Sequence, residues 1–133
     1  MSDWFQQMNA VCDTARYFMN CNVMDIEFMD GSQLEVYVAI SPEERNRGLS
    51  EVSSIDLDGM LFVYSRPSYT PFTMKKMMMD LDIAWYGVDG SIIQNGTYIM
   101  GQTEPIYSPQ PYSYVLEVPA GTLPKASLKV RTN

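Results

Sequence analysis

Histidine is absent from this chain, and that removes a large share of ordinary enzyme chemistry. There can be no Ser-His-Asp or Cys-His arrangement, no histidine zinc ligand and no imidazole acid–base group. Cysteine is nearly absent: only Cys12 and Cys21 occur. A helix running between them would hold them about 13 Å apart, beyond the reach of a disulfide. They read as free thiols, which points to a reducing compartment. Basic residues are also scarce. Nine Lys and Arg face sixteen Asp and Glu, for a net charge of −7, and the bases form no run. Binding to nucleic-acid phosphates or to an anionic membrane surface needs the opposite balance, so neither partner is expected. No apolar stretch approaches the length of a membrane span. Met1-Ser2-Asp3-Trp4 lacks the basic and apolar regions of an export signal, which predicts a cytoplasmic or virion location. The nucleophile elbow Gly-x-Ser-x-Gly and the phosphate-cradling Gly-x-x-x-x-Gly-Lys loop are missing as well.

What is present is apolar and patterned. Residues of hydrophobic type make up 46% of the 133, enough for one domain with its own core. Residues 2 to 20 read as an amphipathic helix, because Trp4, Met8, Val11, Ala15 and Phe18 recur at spacings of three and four. The period then shortens to two. Residues 23–29 and 34–40 alternate around Asp30-Gly31, which predicts a hairpin. Ser41-Pro42-Glu43-Glu44 carries a capping serine, a proline at the first helical position and a glutamate three residues after the cap, so a short helix is expected near residues 42–48, ended by Gly48. Strands are expected at 59–64, 82–87, 91–94, 97–100, 113–118 and 126–131, with turns at Asp89-Gly90 and Asn95-Gly96. The pattern predicts a mainly β fold, a sandwich or barrel, with residues 1–22 as a helical extension and 23–133 as the β domain.

Several segments repeat a known order. Val36-Tyr37-Val38-Ala39 leads into Pro42-Glu43-Glu44-Arg45-Asn46-Arg47-Gly48-Leu49. Gly59-Met60-Leu61-Phe62-Val63 follows, then Phe72-Thr73-Met74-Lys75, Leu81-Asp82-Ile83, Val88-Asp89-Gly90 and Tyr114-Val115-Leu116-Glu117-Val118-Pro119-Ala120-Gly121. In that order they resemble the bacterial and archaeal family called domain of unknown function 192. The chain departs from the family's usual pattern at Thr73, where Trp is common, at Lys76, where Asn is common, at Asp80, where Pro is common, and at Leu49-Ser50. The resemblance implies a compact, jelly-roll-like β-sandwich with a small helix, and it implies no known activity.

Five polar or aromatic residues within or beside these segments are candidates for a ligand site: Arg47, Lys75, Asp82, Trp85 and Glu117. Arg and Lys would grip an anion and Trp85 would offer a ring face to a sugar. The competing reading has the polar members tying the helix to the sheet, with Asp82 paired to Lys75 or Arg47. Asp56, Asp58, Asp80, Asp82 and Glu117 offer carboxylates for acid–base work only if two flank one cleft. Met77, Met78 and Met79 cannot all face one core, so they join Trp4, Phe5 and Phe18 as candidates for a surface that meets another protein. No catalytic residue, metal ligand or cofactor is expected. By elimination the leading functional expectation is a non-enzymatic interaction module, docking on a protein partner or on copies of itself, with a virion or capsid surface as one such assembly. A binder of a small carbohydrate or anion is the first alternative and a carboxylate hydrolase the second.

Overall fold

The computed structural model describes residues 22–130. The expected helix over 2–20, with Trp4, Phe5, Phe18 and both cysteines, lies outside the described residues. Within them the expected hairpin forms: β1 (Asn22–Glu27) pairs antiparallel with β2 (Gln33–Ala39). Gly31 turns the chain at a φ of 88°, where a side chain would be strained, and its N–H donates to the Phe28 carbonyl at 2.9 Å. After β2 comes α1 (Pro42–Arg47), started by the expected capping box. The Ser41 hydroxyl accepts from the Glu44 N–H, while Glu44 Oε1 accepts from the N–H groups of Ser41 and Ile40 at 2.9 and 3.0 Å.

The next strand, β3 (Gly59–Ser68), runs parallel to β2. A parallel pair cannot be closed by a tight turn and needs a crossover. Residues 40–58 supply it, and they carry α1 over one face of the sheet. The remaining strands are β4 (Leu81–Tyr86), β5 (Ile92–Tyr98) and β6 (Tyr112–Pro119). All six hydrogen-bond into one sheet in the order β1-β2-β3-β6-β4-β5, which places β6 centrally. The mainly β class is as the sequence implied. Among the described strands the arrangement is a single mixed sheet, with no second sheet stacked against it.

Strand alternation sorts side chains onto two faces, and both are buried. Ile26, Val36, Val38, Leu61, Val63, Ala84, Tyr86, Leu116 and Val118 form one core. Tyr37, Ala39, Met60, Phe62, Leu81, Ile83, Trp85 and Val115 form the other, covered by Leu49, Met74, Met77 and Ile106 from the connections. The first face is enclosed by curvature. Six strands laid flat would hold their outer members about 24 Å apart. Yet residues 127–129 bond to both ends of the strand order: Met29 N–H to the Ser127 carbonyl, Lys129 N–H to Glu27 and Leu128 N–H to Gly90, all at 2.8–2.9 Å. Three residues span about 10 Å, so the sheet must curl.

Two expected elements differ. In place of the strand expected over 126–131, residues 127–129 form this strap, with an isolated bridge between Phe28 and Leu128, and residue 131 lies outside the described residues. The expected turn at Asn95-Gly96 is mid-strand: Asn95 pairs with Ala84 and Gly96 with Ile83, so in place of two strands over 91–94 and 97–100 there is one, β5, over Ile92–Tyr98. A continuous partner, β4, outweighs the local turn preference of Asn-Gly, because strand propensity is decided by neighbours.

Candidate ligand pocket

The crossover that makes β2 and β3 parallel also makes a cavity of about 260 Å³. Its helix side is Pro42, Arg45, Asn46 and Arg47, continuing into Gly48 and Ser50. Its far side is the loop from Thr70 to Thr73 with Met77, and its floor is Phe62, Tyr64 and Glu117. The floor follows from period two. Phe62 and Tyr64 alternate with Leu61 and Val63, so they point away from the first core. Glu117 stands beside Met60 of β3 and Ile83 of β4 in the register, on the second face.

Glu117 is the chemical centre of this site. Only 1% of it is exposed, and its Oε1 is buried with no hydrogen-bond partner among the described residues. Burial alone pushes its carboxyl up to about 8, so at neutral pH it is a neutral acid with a proton to donate. Arg45 is held in place by its surroundings. Its guanidinium lies 4.6 Å from the centre of the Tyr64 ring and donates through Nη1 to the carbonyls of Ile40 and Val63, the latter at 3.1 Å. Tyr64 is hydrogen-bonded to Tyr112, and burial raises its hydroxyl above the ordinary tyrosine value. Tyr112 in turn donates to the Thr70 carbonyl at 2.5 Å, which fixes the loop end of the pocket. Phe72 packs edge-on to Phe62 at 5.4 Å and to Trp85 at 6.1 Å.

Of the five candidates named from sequence, the structure brings Arg47 and Glu117 together at one cavity. The other three sit elsewhere. Lys75 is exposed and does not line it. Asp82 is 5% exposed and makes no ion pair with Lys75 or Arg47. Its Oδ1 accepts from Thr97 at 2.6 Å, and its Oδ2 accepts from the N–H groups of Gly121 and Leu123 at 2.9 and 3.3 Å. It ties the turn after β6 to β4 and β5. Trp85 is fully buried in the second core and offers no open ring face. The aromatic walls are Phe62, Tyr64 and Phe72, which sequence reasoning passed over. The alternation within Gly59–Tyr64 was the available signal.

The other carboxylates are dispersed. Asp56 accepts from the Tyr37 hydroxyl, Asp58 from the Glu35 N–H at 2.8 Å and Asp80 from the Met100 N–H at 2.9 Å. Among the described residues Glu117 is the one acid that lines the cavity, so they do not assemble there the two-carboxylate geometry of a glycoside hydrolase. Among the described residues no three Cys, Asp or Glu side chains cluster as a metal site, and no helix is long and apolar enough to cross a membrane. The three methionines separate as their spacing requires: Met77 is buried, Met79 half-buried and Met78 exposed.

Two solved structures share the fold. A Sinorhizobium meliloti protein described as a "putative transcription regulator" is 27% identical, with a TM-score of 0.70 over 79% of this chain and 89% of that one. A Novosphingobium aromaticivorans protein of unknown function is 18% identical, with a TM-score of 0.75 over 98% of both chains. A comparison with curated proteins finds no match. The model for DUF192, described as Uncharacterized ACR, matches residues 25–133. Helix, floor strand and the strand bearing Glu117 all fall inside that match, and the chain belongs to the DUF192 family.

Proposed function

We propose that this protein binds a small polar molecule in the cavity between α1 and β3. One observation carries the reading: Glu117, on the central strand, lines the cavity with a buried carboxyl group, one oxygen of which has no partner among the described residues, where an apolar side chain would pack at no such cost. Such a group costs stability unless something satisfies it. Its neighbours Met60, Ile83 and Val115 show what the position would hold if packing were the only demand. The cavity is slightly smaller than the roughly 300 Å³ at which pockets for drug-sized ligands begin, so the ligand is of monosaccharide or small-acid size.

The test is a thermal-shift screen of sugars, amides and organic acids. A ligand at a hundred times its Kd adds about 2.7 kcal/mol, a clear rise in melting temperature. Thr73 lines the cavity at its exposed rim, so Thr73→Trp fills the space without touching Arg47 or Glu117. That variant should fold and lose the shift. A screen in which no class stabilises the wild type, or one in which Thr73→Trp responds equally, refutes the reading.

A second reading, docking on another protein, is favoured by an apolar corner. Met78, Ile99 and Met100 are each more than half exposed. The loops that carry them are joined by the Met100–Asp80 and Gly101–Met74 hydrogen bonds. A self-association measurement on Met78→Lys with Met100→Lys tests whether copies of the chain use it; a wild type that stays monomeric at high concentration counts against that version. No observation favours a virion or capsid as the partner. The description of the Sinorhizobium protein finds little support in charge, because −7 opposes contact with DNA phosphates.

A further inference from the structure

We propose that the molecule taken up by this cavity is a small oxyanion, a carboxylate or a phosphate, held between the Arg47 guanidinium and the carboxyl group of Glu117. This rests on the pocket reading above and narrows it to one ligand chemistry.

The argument is one of charge. Arg45 and Arg47 both line the cavity, and Glu117, the acid among its described lining residues, is neutral at pH 7. Among the described residues the lining therefore carries more cationic than anionic side chains, in a chain whose net charge is −7. A cationic ligand would be repelled by both arginines. A neutral ligand would strip water from a guanidinium and return no countercharge, which costs free energy wherever the group leaves water. An oxyanion satisfies both walls. It takes charge-assisted N–H bonds from the helix side and an O–H bond from the sheet side, and such bonds to an ionised acceptor are short and strong. Arg47 has five N–H donors, so it can keep a protein contact and still meet the ligand. Arg45, spent on two carbonyls and on the Tyr64 ring, contributes field and holds the wall.

The proton on Glu117 makes binding sensitive to pH. Among the described residues, the charged or titratable groups that line the cavity with it are Arg45 and Arg47 from α1 and Tyr64 from β3, which is hydrogen-bonded to Tyr112. Its strand neighbours Met60 and Ile83 do not titrate. Burial keeps the Tyr64 hydroxyl protonated where Glu117 loses its proton. Above about pH 8 the ionised Glu117 would repel the ligand.

The experiment is calorimetric titration of the full chain with glycolate, with inorganic phosphate and with glucose as a neutral probe. At least one anion should bind at pH 6.5 and glucose should not. With glycolate, whose own carboxyl titrates well below this range, the affinity should fall about tenfold per pH unit above about pH 8. Binding near pH 8 should take up a proton. Glu117→Gln, whose amide still donates, should bind at pH 6.5 and lose the alkaline fall. Arg47→Gln should bind at least tenfold more weakly. Binding of glucose without either anion overturns this inference and leaves the pocket reading standing, and binding of no probe overturns it outright. An alkaline fall that persists in Glu117→Gln, or an unchanged Arg47→Gln, removes the residue concerned from the site and overturns the inference.

Discussion

Replacing Glu117 by glutamine is the most direct probe of the buried acid, and its effect on stability follows from the position of the carboxyl in the sheet. Burial raises the group from 4.5 to about 8. Between those values the native protein keeps a proton that the unfolded chain has released. The unfolded state then binds fewer protons, so stability falls as pH rises, at about 1.4 kcal/mol per pH unit. Below pH 4.5 both states are protonated and the slope vanishes. Above about pH 8 both are ionised and it vanishes again, with the full penalty in place. From pH 5 to pH 8 the wild type should lose about 3 kcal/mol from this one group. Glutamine has nearly the same shape, carries no charge and does not titrate. Relative to wild type it should be close to neutral at pH 5 and stabilising by about 3 to 4 kcal/mol at pH 8, which for a chain of this size raises Tm by roughly 10 °C. The assay is urea unfolding of both proteins at half-unit pH steps, read by far-UV circular dichroism. Parallel stability curves from pH 5 to pH 8 would refute the reasoning, since they would mean that Glu117 is solvated or ion-paired in the folded protein.

Other substitutions separate local causes from tertiary ones. Gly31 and Gly90 have almost the same φ, 88° and 87°, but a Cβ on Gly31 meets nothing within 4 Å, whereas one on Gly90 would lie 2.1 Å from the Leu128 carbonyl oxygen. Gly31→Ala should cost about 1 kcal/mol from backbone strain alone, and Gly90→Ala clearly more, with faster hydrogen exchange at Leu128 and Lys129; equal losses would deny the strap its role. Ser41→Ala removes the cap of α1 and should cost about 1 kcal/mol in thermal unfolding, and no loss would mean that the crossover holds the helix without it. Asp82→Ala leaves the N–H groups of Gly121 and Leu123 without their acceptor and, since only the second of them is buried, should cost about 1–3 kcal/mol, while leaving oxyanion binding to the refolded protein unchanged. Loss of binding at full stability would place Asp82 in the site after all.

The local signals were those whose physics is local. Asp30-Gly31, Ser41-Pro42 with Glu44, and Asp89-Gly90 were legible because a turn or a cap depends on a few adjacent residues. Asn95-Gly96 carries the same kind of signal and does not turn, because β4 lies alongside it. Arg47 and Glu117 were picked out from their segments, but so were Lys75, Asp82 and Trp85, and no local pattern separates the two groups. Asp82 and Glu117 both sit in strands among apolar neighbours. One meets two backbone N–H groups from a turn some forty residues on, and the other meets an open cavity.

Composition and period determined the class: a chain without histidine, acidic, with alternating apolar strands and one capped short helix. Strand order, the parallel pairing of β2 with β3, the curl closed by residues 127–129 and the meeting of Arg47 with Glu117 were decided by tertiary structure. Each depends on which distant segment supplies a hydrogen-bonding edge or a covering side chain, and that free energy comes from contacts between residues far apart in the chain, which no local spacing encodes.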